Sequence, residues 1–60
     1  MGPVEALELS LEKENESIVL YKSFIDKYPE IKDIFEMLLK EELKHKEFIE
    51  QKIAQLSKYW

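Results

Sequence analysis

Sixty residues form at most one small domain, and a chain this short usually needs a disulfide, a metal or a partner chain to add stability. There is no cysteine, which removes disulfides, zinc–thiolate sites, iron–sulfur clusters and thiol nucleophiles, and leaves oxygen- and nitrogen-ligated metal or self-association. The net charge is −4 and arginine is absent, so no nucleic-acid partner is expected; no apolar run approaches the roughly 20 residues that span a bilayer, so no membrane partner is expected either.

From Pro3 the chain reads as helix over about residues 4–27. Pro3 suits a first helical position, and Glu5 and Glu8 place negative charge where the helix dipole favours it. Leu7, Leu11, Ile18, Tyr21 and Ile25 recur at spacings of four and three, with one interruption at position 14. Pro29 pushes Tyr28 out of the helical region, which predicts a turn at about 28–29.

Pro29 then opens a second helix over about 30–58, with Glu30 and Asp33 in its first turn. Ile31, Phe35, Leu38, Ile49, Ile53 and Leu56 carry its apolar stripe toward Tyr59-Trp60, and the stripe is broken at 42 and 45. So short a connection makes the helices antiparallel neighbours. Two helices cannot cover both stripes. The expectation is therefore a single all-α domain, 1–60: a two-helix antiparallel hairpin that dimerises into a four-helix bundle. Val4, Leu9, Leu20, Phe24, Leu39 and Leu43 lie off the main seams and read as exposed; they either leave room for higher oligomers or flank an ordinary bundle core.

The interruptions are Glu14, Glu42 and His45. Taking Tyr28 as the turn, Glu14 lies 14 residues before it, and Glu42 and His45 lie 14 and 17 after it. At about 1.5 Å per residue all three sit about 21–26 Å from the turn, at one level. An unpaired carboxylate at a core position costs several kcal/mol or takes up a proton. Two copies contribute four carboxylates and two neutral imidazoles, a charge of −4 that two divalent cations neutralise. Glu from two helices with Glu-x-x-His from two others is the ligand pattern of dinuclear carboxylate bundles. This donor set suits iron, two per dimer, or manganese, and zinc can occupy it in vitro. Glu41, four residues before His45, is an alternative or additional carboxylate; Ile49, Ile53 and Leu56 favour Glu42.

Leu11–Tyr21, in which a glutamate precedes a tyrosine by seven residues, and Glu41-Glu42-Leu43-Lys44-His45 together resemble one half of a rubrerythrin-type bundle of the ferritin-like superfamily. The similarity covers about residues 6–50. It implies a ferroxidase that binds two Fe(II), oxidises them with dioxygen or peroxide, and releases or stores Fe(III). Glu14, Glu42 and His45 are the implied catalytic ligands. Tyr21 is either a hydrogen-bond donor behind them or core. Ferritins and rubrerythrins carry both halves on one chain, whereas this chain has one, as in the encapsulated ferritins. That implies an obligate homodimer, a cytoplasmic location, and an encapsulin-type shell around the protein inside a nanocompartment. Two alternatives remain: a structural helical dimerisation module stabilised by metal, and a rubrerythrin-like peroxide scavenger. The latter lacks the cysteine-bound iron that usually delivers electrons.

Overall fold

The computed structural model describes residues 1–58, and the end of the stripe at Tyr59-Trp60 lies outside the described residues. Helix α1 runs Pro3–Lys27 and α2 runs Lys32–Ser57, joined through a single 3-10 turn at Pro29–Ile31. Gly2 caps α1: its N–H donates to the Glu5 carboxylate at 3.3 Å, and its carbonyl accepts from Ala6 N–H at 3.0 Å. Tyr28, held at φ −125° and ψ 66°, ends the helix and donates its N–H to the Phe24 carbonyl at 2.8 Å. Its non-helical conformation is what a following proline imposes. The Ile31 N–H donates to the Tyr28 carbonyl at 3.1 Å, which tightens the connection. Thus α2 opens at Lys32, where the sequence pattern places α-helix from about 30.

The molecule measures 47 × 17 × 10 Å. Its thinnest dimension is about one helix diameter, so the two helices form a single layer. Ile18 is the one buried residue among those described, at 6% exposure. Leu7, Leu11, Tyr21, Ile25, Leu38, Ile49 and Ile53 are only half-buried. Toward the turn an aromatic cluster adds packing: Tyr21 stacks on Phe35 at 6.2 Å, Phe35 meets Phe24 at 5.0 Å, and Phe24 meets the Tyr28 edge at 5.8 Å. Phe24 is therefore half-buried rather than exposed, as are Val4 and Leu39, because the helices cross over a wider strip than two strict stripes imply. Among the described residues, no helix is long and apolar enough to cross a membrane.

Candidate metal centre

Near the middle of the hairpin, Glu14 of α1 faces Glu42 and His45 of α2. One ligand atom from each of the three lies within 4.8 Å of the others. His45 Nδ1 is 3.9 Å from Glu14 Oε1 and 3.8 Å from Glu42 Oε1. Those separations exceed hydrogen-bond length. They match the spacing of donors around one ion, since two atoms each about 2.1 Å from a shared metal lie about 3–4 Å apart. Nδ1 is the imidazole nitrogen turned toward both carboxylates.

The two glutamate side chains are covered, at 20% and 19% exposure, whereas His45 is 55% exposed. Glu14 and Glu42 occupy the seam between the helices, and His45 stands at its lip. Glu14 Oε2 is buried without a hydrogen-bond partner. A buried acceptor left unpaired costs about 1–3 kcal/mol, more if charged. A cation would satisfy it, so the donor set and this orphaned oxygen together fit an oxygen- and nitrogen-ligated metal.

Sharing a proton with the Glu42 carboxyl raises the Glu14 pKa above its ordinary 4.5; burial and the like charge of Glu42 push the same way, and His45 opposes them. The folded chain therefore holds this proton more tightly than the unfolded chain does. The stability so contributed is present below 4.5 and is lost as pH rises through the elevated value. Metal-free protein is expected to lose this contribution as pH rises above 4.5 and through the elevated value. Glu14→Gln, which cannot ionise, should flatten that loss when unfolding is followed by circular dichroism. If wild type and variant gave parallel profiles, Glu14 would not be the group responsible.

Glu41 is exposed and outside this cluster. Tyr21 is half-buried with its ring on Phe35, and among the described residues its side chain makes no hydrogen bond. Lys13 pairs with Glu16 at 3.5 Å on the solvated face, an exposed contact of little energetic weight. A shallow groove along α1, lined by Leu11, Asn15 and Val19 with Glu8, Glu12 and Glu16, was not foreseeable from motif spacing. Its only sequence signal is the eight-residue interval between Leu11 and Val19.

Comparison with protein-family models matched the model described as Rubrerythrin over residues 5–59. Comparisons with curated proteins and with solved structures gave no match. The match spans nearly the whole chain, both helices and all three clustered side chains. This hairpin belongs to the rubrerythrin family, a ferritin-like family of iron-binding proteins.

Proposed function

We propose that the protein is a ferroxidase whose Fe(II)-oxidising centre is shared between two copies of the chain. The observation that carries this is the convergence of Glu14, Glu42 and His45, with a buried, unpartnered carboxylate oxygen, in a rubrerythrin-family hairpin one layer thick. Three donors are too few to hold two ions. A second hairpin doubles the set to four carboxylates and two imidazoles. The cluster lies near half of the 47 Å length, so a two-fold axis through it overlays the hairpins along most of their extent.

Fe(II) is the substrate. Glu14 and Glu42 bind it through carboxylate oxygens and His45 through Nδ1. Binding competes with protonation of Glu14, so affinity weakens toward acid. Oxidation of two Fe(II) releases two electrons, and dioxygen takes them up with two protons to give hydrogen peroxide. Carboxylates stabilise the higher charge of Fe(III), and the surrounding apolar side chains limit access of bulk water.

Anaerobic titration is expected to saturate at about one Fe(II) per chain, and admission of air to oxidise it faster than in protein-free buffer. With hydrogen peroxide as oxidant, consumption should stop once the bound iron is oxidised. Tight binding without faster oxidation would leave a structural metal site instead. Sustained peroxide consumption with an added reductant would make the protein a peroxidase.

A further inference from the structure

One flank of α1 carries an open groove that the metal centre does not use. Leu11 and Val19 form its apolar side with Asn15 between them, and Glu8, Glu12 and Glu16 stand along its edge at intervals of four. Val19 is 69% exposed, and covering it is favourable. Like charges four residues apart repel across one helical turn. Lys13 pairs with Glu16, but among the described residues no lysine or histidine pairs with Glu8 or Glu12.

The groove also faces away from the flank that bears His45. At about 100° per residue, Glu8, Asn15 and Val19 lie about 100–140° from Glu14 in the sense of increasing residue number. Ile34, His45 and Phe48 lie about 60–120° from Glu42 in the opposite sense. In antiparallel helices those two senses are opposite faces of the layer. A second hairpin that completes the centre over His45 therefore leaves the groove in solvent.

We propose that this groove is a docking site for a basic amphipathic helix of another protein. A helix laid along α1 brings a lysine or arginine opposite each of Glu8, Glu12 and Glu16, because both ladders repeat every four residues. Its adjoining apolar side chains cover Leu11 and Val19. A bare cation or a polyamine would meet the carboxylates and leave the apolar side wet. The volume, about 610 Å³, is within the about 300–1,000 Å³ of ligand-sized clefts, so it takes side chains of one helix rather than the face of a domain.

The test is fluorescence anisotropy of the full chain with a labelled peptide about 15 residues long, made of leucine, alanine and lysine in helical periodicity. Saturable binding at one peptide per chain is expected, weakening as salt is raised. An exposed ion pair is worth about 1.4- to 5-fold, so Glu8→Gln/Glu12→Gln should bind the peptide about 2- to 30-fold more weakly. Val19→Ser should weaken it too, and a scrambled peptide of the same composition should bind more weakly than the ordered one. Equal binding of the two peptides, or a double variant that binds like wild type, would overturn the proposal. So would a smaller sedimenting species of the peptide-free protein after Val19→Ser, which would make the groove a contact between copies of this chain. Iron stoichiometry reads the centre separately and should be unchanged in both variants, since Glu14, Glu42 and His45 are intact.

Discussion

Glu14→Ala is expected to empty the metal centre without unfolding the hairpin. Glu14 is the only one of the three clustered ligands on α1, so its loss leaves α2 with Glu42 and His45 alone. Removing outer hydrogen-bond partners of metal ligands already costs about 10–100-fold in affinity, and removing a ligand should cost at least that. Bound iron should fall from about one per chain toward zero, and oxidation should fall to the rate of free Fe(II) in buffer. Stability of the metal-free chain should hold or rise. The substitution deletes a buried oxygen that has no partner, and alanine is the strongest helix former. Glu41→Ala, at an exposed position outside the cluster, should leave iron stoichiometry unchanged. If instead Glu41→Ala emptied the site and Glu14→Ala did not, the ligand assignment would be wrong. Metal analysis after gel filtration, paired with thermal unfolding of the metal-free form, separates loss of ligand from loss of fold.

Ile18→Ala is expected to have the largest effect on stability. Ile18 is the buried side chain at the centre of the seam, one turn from Glu14. Truncating a buried isoleucine to alanine costs about 2–5 kcal/mol. A domain of this size rarely draws more than about 3–5 kcal/mol from its core, so the variant should lose most of its helical signal at room temperature without metal. Saturating metal should restore part of it, since ligand at about 100 times its dissociation constant contributes about 2.7 kcal/mol. A denaturation midpoint within error of wild type would show that the seam is not where the hairpin draws its stability. Val19→Ala, on the exposed side of the same helix, is the matched control.

The hairpin was readable in the sequence because its signals are local. Pro3 and Pro29 mark helix starts, the residue before Pro29 marks an end, and the Leu11–Ile18–Ile25 stripe fixes the buried face of α1. The convergence of Glu14, Glu42 and His45 was readable too, since a tight turn and a constant rise per residue make height along a hairpin a matter of counting. What the pattern did not contain was rotation about the helix axes. Phe24 and Leu39 are half-covered because adjoining faces also meet, and no period of three and four reports that. The same lack of rotational detail left Glu41 and Glu42 competing. Geometry separates them, with Glu42 in the seam and Glu41 in solvent. The 3-10 turn at Pro29–Ile31 was hidden because its composition equally suits the first turn of an α-helix.

The sharing of the centre between two chains is tested most directly by native mass spectrometry of the anaerobic Fe(II)-loaded protein. Iron is expected in a species of two chains carrying two ions, with monomers essentially metal-free. A dominant monomer carrying its own iron would contradict a shared centre.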